Sequence, residues 1–138
     1  MSIQKVNHPV WKAIDAEQIA ATVQGTASEW WDTDGWTDKV VTLQVTSETP
    51  AGSAQIDVNV DILASPKGYY ELRNETTVDT EDYEVIAIVN AHTAATLTRF
   101  DAADVDDLQR PIRSMKVVVD NDHASLYATV NVWVEGWS

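Results

Sequence analysis

Ala54-Gln55-Ile56-Asp57-Val58-Asn59-Val60-Asp61-Ile62-Leu63 sets Ile56, Val58, Val60 and Ile62 at every second position, with Gln55, Asp57, Asn59 and Asp61 between them. Side chains alternate across a strand with period two, so the aliphatic row faces a core and the polar row faces water. On a helix the same four apolar residues would scatter around the circumference. The stretch therefore reads as a half-buried strand. Residues 124–134 repeat the pattern, with Leu126, Ala128, Val130, Val132 and Val134 in the inward row and Tyr127, Thr129, Asn131 and Trp133 opposite. Val41, Leu43 and Val45 alternate with Thr42, Gln44 and Thr46 in the same way.

Weaker versions of this cadence over residues 19–26, 69–73, 83–90, 96–100 and 112–119 bring the expected total to about eight strands. Thr49-Pro50-Ala51-Gly52, Ser65-Pro66-Lys67-Gly68 and Asp120-Asn121-Asp122 separate them with residues that preset φ or tolerate positive φ, so neighbouring strands are expected to be antiparallel. One short helical turn is expected near residues 101–108, where Asp101 is a candidate cap, Val105 and Leu108 are three apart, and Pro111 prevents continuation. With no repeat, linker or crossover helix in view, the chain reads as an all-β sandwich or barrel, with an N-terminal arm over 1–18 and a single domain over 19–138.

The 138 residues contain no cysteine, so packing and backbone hydrogen bonds must hold the fold without disulfides. Twenty-two acidic residues against nine basic ones leave a formal net charge of −13. Such a charge repels phosphate backbones and anionic lipid, so neither nucleic acid nor membrane is an expected partner. Fourteen aspartates and only five lysines suit a surface that salt screens, as in a halophile; an acidic mesophilic protein is the alternative. The first residues lack the basic stretch and apolar run of a secretory signal, and no segment approaches the length of a transmembrane helix.

No nucleophile elbow, phosphate-cradling glycine loop or metalloprotease helix is present, so no catalytic residue and no cofactor are assigned. His8, His92 and His123 read as solvated loop histidines. Asp32-Thr33-Asp34-Gly35, the aspartates at 101, 104, 106 and 107, and Asp120 with Asp122 read as solvated acidic faces. The first has the opening spacing of a calcium loop without its closing glutamate, and no metal ligand is assigned. Asn74-Glu75-Thr76 matches a glycosylation sequon, which matters only in an exported chain.

Six tryptophans beside a single phenylalanine make the aromatic residues the best candidates for contact with partners. Trp133, Trp137, Tyr127, Trp30 and Trp31 are the candidate partner-binding residues, Trp133 and Trp137 foremost. The alternative is that most tryptophans fill the two ends of the sandwich.

The run from Trp31-Asp32-Thr33-Asp34-Gly35-Trp36 through Val45-Thr46, then Ala51-Gly52-Ser53-Ala54-Gln55-Ile56-Asp57-Val58, then Ile112-Arg113-Ser114-Met115-Lys116-Val117 through Val132-Trp133-Val134, resembles small jelly-roll-type β-sandwich virion proteins of tailed viruses. The likeness spans residues 19–138 and lies in strand cadence and the Gly-aromatic entry to a strand. It implies a capsid decoration, turret or tail component that forms homotrimers, contacts the major capsid or other virion proteins, and is assembled in the host cytoplasm. With the acidic composition, the implied source is a haloarchaeal tailed virus. The acidic loop 101–107 and the aromatic C-terminus depart from the pattern. A second function class stays open, a carbohydrate- or receptor-binding module of a tail or fibre whose partner is a host surface glycan.

Overall fold

The structure is a computed structural model and describes residues 8–47, 56–74, 80–93 and 97–138. Its strands are β1 (Trp11–Ile19), β2 (Thr26–Ala27), β3 (Trp31–Asp32), β4 (Asp38–Ser47), β5 (Val58–Ser65), β6 (Glu84–His92), β7 (Thr98–Phe100), β8 (Ser114–Asn121) and β9 (Ala128–Trp137). One short helix, α1 (Tyr69–Asn74), follows β5, and 3-10 turns stand at Thr80–Asp82 and Asp106–Gln109.

The described pairings are antiparallel and nested. The first strand pairs with the last, β2 and β3 pair with β8, β4 with β7, and β5 with β6, as if one long hairpin had been rolled up. Pairing of β9 with β4 and of β8 with β5 closes the roll. Two sheets result, in the orders β1-β9-β4-β7 and β2-β8-β5-β6, with β3 also on β8. Because β2 and β3 share one neighbour they fill one strand position, which leaves eight positions in the order of a jelly roll. Ser28 bridges the gap between them: its N–H donates to the Val117 carbonyl at 2.8 Å and its Oγ accepts from the Val117 N–H at 2.9 Å.

The alternating stretches supply the central strands. Val41, Leu43 and Val45 of β4, Val58, Val60 and Ile62 of β5, Val117 and Val119 of β8, and Val130, Val132 and Val134 of β9 all have zero exposure. β-Branched side chains suit a pleated surface, and each stabilises the fold by roughly 1.5–3 kcal/mol on leaving water. The space between the sheets is thus taken up by aliphatic side chains.

Three sequence expectations are corrected. Residues 11–18, read as part of an N-terminal arm, form edge strand β1 together with Ile19, and of the strand expected over 19–26 only the two ends are paired, Ile19 in β1 and Thr26 in β2. The buried residues of β1, Trp11, Ile14 and Ile19, are three and five apart because the register slips on both sides of Ile14 and Ala16 has a φ of +47°. Each bulge inserts a residue and erases period two. Residues 69–73, read as a strand, form α1. They lie past the end of β5, where an extended chain would find no partner, whereas a helical turn satisfies its own N–H groups: Glu71 and Leu72 both donate to the Gly68 carbonyl at 3.1 Å. Leu72 is the residue it buries.

The histidines are the third correction. His92 lies buried in β6, His8 is half-buried, and the Nδ1 of half-buried His123 accepts hydrogen bonds from the Ser125 and Leu126 N–H groups at 3.1 and 3.0 Å. That last turn also delays β9, so Leu126 and Tyr127 precede the strand and do not belong to its rows. The helical turn near 101–108 is present in two pieces: Asp101 caps a first turn by accepting from the Ala103 N–H at 2.9 Å, and the 3-10 turn Asp106–Gln109, which has no side-chain cap, buries Leu108. The turn read at 49–52, residues 54–55 and most of the sequon lie outside the described residues.

Candidate docking surface

The connection 33–37, the chain after β5 through α1 (residues 66–74), the loop 101–113 and the ends of β1 and β9 meet at one end of the sandwich. Thr33, fully buried, donates its hydroxyl to the Ile112 carbonyl at 2.7 Å and accepts the Trp36 N–H at 3.0 Å, while Gly35 takes a φ of +87° that favours glycine. Asp32 accepts the Asp34 N–H, so the acidic run is a structural turn. This turn lays the Trp36 ring flat over Gly136, where a Cβ would stand 2.2 Å from the indole. His8 stacks on Trp36 at 5.3 Å, and its N–H donates to the Gly136 carbonyl. Beside them Trp11 of one sheet and Trp31 of the other stack at 5.5 Å with planes 5° apart, a clasp across the open edge. Trp11 is buried, but Trp31 is 40% exposed; Tyr70 on α1 is 70% and Val10 56% exposed. A cavity of about 450 Å³ opens among His8, Trp31, Trp36, Tyr69 and Tyr70.

Lys39 closes the same end from inside. As an odd-numbered residue of β4 it points inward with Val41 and Leu43, and its ammonium donates to the carbonyls of Trp36 at 3.2 Å and Arg110 at 2.6 Å. Burial holds its pKa down at about 8, with the Asp38 charge opposing that shift and Arg110 adding to it.

The predicted contact residues are not brought together. Trp31 belongs to the aromatic end. Trp133 and Trp137 lie half-buried on the outer face of the first sheet, Trp133 under the Lys12 ammonium at 5.1 Å and Trp137 beside Asp38, Val40 and residues 101–103. Trp30 lies on the outer face of the second sheet with Tyr83 and Lys116. Tyr127 is half-buried at the opposite end. Sequence reasoning missed Tyr70, Tyr69 and Val10. The adjacent tyrosines after Pro66-Lys67-Gly68 were the available signal, hidden because aromatic residues also favour strands.

No protein-family model matches the sequence, and no curated protein does. Among solved structures, particles derived from infectious bursal virus superpose with a TM-score of 0.52 at 14% identity, over 96% of this chain and 32% of the other. The fold is one found in virus particles. The infectious bursal disease virus VP2 subviral particle aligns over 96% of this chain and 33% of that one, at 14% identity and a TM-score of 0.49. The Gx strain of that virus aligns over 97% and 33%, at 17% and 0.47. The chain spans about a third of the length of these chains, and the likeness is one of fold.

The opposite end is closed by polar groups. Asn121, 1% exposed, donates its amide to the carbonyls of Ile19, Ala20 and Leu126 at 3.0, 3.2 and 3.0 Å and accepts the His123 N–H at 3.1 Å. Asp120 accepts the Gly25 N–H at 2.6 Å, and Asp122 accepts from the side chains of Gln24 and Asn59. Burial, and then the Asp120 charge, raise the pKa of Asp61 above the usual aspartate value. Among the described residues no helix is long and apolar enough to cross a membrane.

Proposed function

We propose that this chain is a structural protein of a virus particle, one that decorates or extends the capsid by docking through its aromatic end. The observation that carries the reading is the exposed edge of that end: Trp31 and Tyr70, which line one cavity, leave aromatic area in water on a domain whose interior is already filled. Contiguous exposed aromatic surface favours protein contact, and tryptophan and tyrosine are efficient anchors. The jelly roll supports a virion role as a fold that capsid proteins use, although lectins and cupins use it too. Its partners are sister subunits, in a homotrimer, and the major capsid or other virion proteins; it acts without catalysis. The net charge of −13 suits a halophilic tailed virus, with the chain on the outside of the particle and away from packaged nucleic acid.

Native mass spectrometry from about 0.2 to 3 M volatile salt tests this, since screening lengths contract over that range. A trimer is expected, falling to monomer when the exposed Tyr70 is changed to serine, which leaves the Trp11–Trp31 stack in place and costs little melting temperature. A monomer at every salt concentration, together with absence from purified particles, would sink the reading.

A second reading, a carbohydrate-binding module of a tail or fibre, is favoured by a separate observation: Trp30 lies in a groove with two basic side chains.

A further inference from the structure

In a chain with 22 acidic residues, basic side chains have carboxylates within easy reach. Lys12 meets Asp15, Lys67 meets Asp82, Arg110 meets Glu84 and Asp107, and Arg113 meets Asp34. Arg73 and Lys116 are different, and of the other described cations they are the two that share a groove. Among the described residues neither meets a carboxylate within ion-pair distance; instead the Arg73 guanidinium lies over Tyr69 at 5.9 Å, and the Lys116 ammonium over Trp30 at 5.8 Å. The two cations line one cavity of about 510 Å³ on the outer face of the second sheet, together with Trp30, Tyr69, Ser28 and Glu29.

Each of these features selects for a property of the ligand. Two cations without acidic partners among the described residues, converging from α1 and β8, retain donors for an anionic group, and arginine presents a planar fork that matches a carboxylate. Indole and phenol rings offer apolar faces to the C–H side of a sugar ring. The Glu29 carboxylate, exposed at the rim, accepts from hydroxyls but repels a second anionic group, so the ligand carries its charge at one place and its hydroxyls at another. The volume falls in the range of small-molecule sites, roughly 300–1,000 Å³. Ser28 contributes little, because its hydroxyl already donates to the Glu29 carbonyl and accepts from Val117.

We infer that the groove between α1 and β8 binds an acidic saccharide, a sugar bearing a carboxylate, with Arg73 and Lys116 holding the carboxylate and Trp30 and Tyr69 supporting the ring. The inference rests on the carbohydrate-binding reading and narrows it to one site and one ligand class. It relocates binding from Trp133, on the outer face of the first sheet, to Trp30 on the outer face of the second, where Trp30 shares a groove with two cations.

The test is titration of the full chain by calorimetry with 3′-sialyllactose, lactose and sodium sulfate. Sialyllactose is expected to bind at least about tenfold more tightly than lactose or sulfate, a gap that one charge-assisted bidentate contact supplies. Arg73→Gln is expected to remove that advantage, Trp30→Leu to weaken binding of the acidic sugar, and Trp133→Ala to leave it unchanged. Arg73 is exposed, so its variant keeps the test valid even if Trp30→Leu unfolds. Equal binding of lactose and sialyllactose would overturn the acidic-sugar inference and leave the carbohydrate reading standing. Equal binding of sulfate would overturn it in favour of simple anion capture, and no binding of any probe at about 10 mM, the weak end of saccharide affinity, would overturn both.

Discussion

The two ends of this jelly roll close the same aliphatic core by opposite means. At one end Trp11, Trp31, Trp36 and His8 lie flat on one another and on Gly136. At the other, Asn121 ties the turn after β1 to the turn before β9 through three carbonyls and one N–H. Ring stacking is weakly directional, so rings can shift and still exclude water, and any ring left at the rim is adhesive. An amide network has one solution, because each donor must meet its acceptor. The difference divides labour between the ends, one end fixing the roll and the other, in the proposed function, meeting partners.

The largest expected effect is at the polar end. Asn121→Ala removes every partner of the Asn121 network while the Ile19 and Leu126 carbonyls stay enclosed, and is expected to cost about 3 kcal/mol, the upper range for stranding buried polar groups. Urea unfolding measures it. A loss below about 1 kcal/mol, an ordinary single hydrogen bond, would mean that water replaces the amide and that the polar end is no more fixed than the aromatic one.

The same contrast governs what could be read from the sequence. Strands β4, β5, β8 and β9 were legible because they are central, with one face in the core, so burial imposes period two on residues such as Val58, Val60 and Ile62. Strand β1 was not, because an edge strand tolerates bulges and its buried Trp11, Ile14 and Ile19 follow no fixed period. The strand order came only from pairings between residues far apart in sequence, the most distant being those of β1 with β9, as between Trp11 and Val134. For the site, the wealth of tryptophan was visible but its geometry was not. Trp30 and Trp31 are neighbours in sequence and serve different surfaces, and Tyr70 joins Trp31 through a helix that the aromatic run disguised as a strand.

A smaller effect is expected at the aromatic end. Gly136→Ala drives a methyl group into the Trp36 ring, yet the rings above it have solvent beside them and can slide outward. The expected loss is about 2 kcal/mol, within the range of overpacking, with Trp36 fluorescence moving toward that of an exposed indole. A loss greater than that of Asn121→Ala would reverse the comparison and make the stacked end the rigid one.

The effect that is smallest per unit of pH sharpens the comparison, because Lys39 is, among the described residues, the charged side chain built into the aromatic closure from within. Its folded pKa of about 8 lies below the ordinary 10.5, so between those values the unfolded chain binds more protons than the folded one. Stability from this group therefore rises with pH across that window, by no more than about 1.4 kcal/mol per unit, and is flat below it. The clean measurement is the difference between the chain and Lys39→Met, since other lysines and tyrosines titrate in both and cancel. Relative to the variant, the chain is expected to gain stability from pH 8 to pH 10, whichever of the two is more stable at pH 7. A difference that does not change with pH would show that the ammonium keeps its ordinary affinity for the proton inside the fold. The Trp36 and Arg110 carbonyls would then solvate the charge as well as water does, and the aromatic end would have a directional polar anchor of its own.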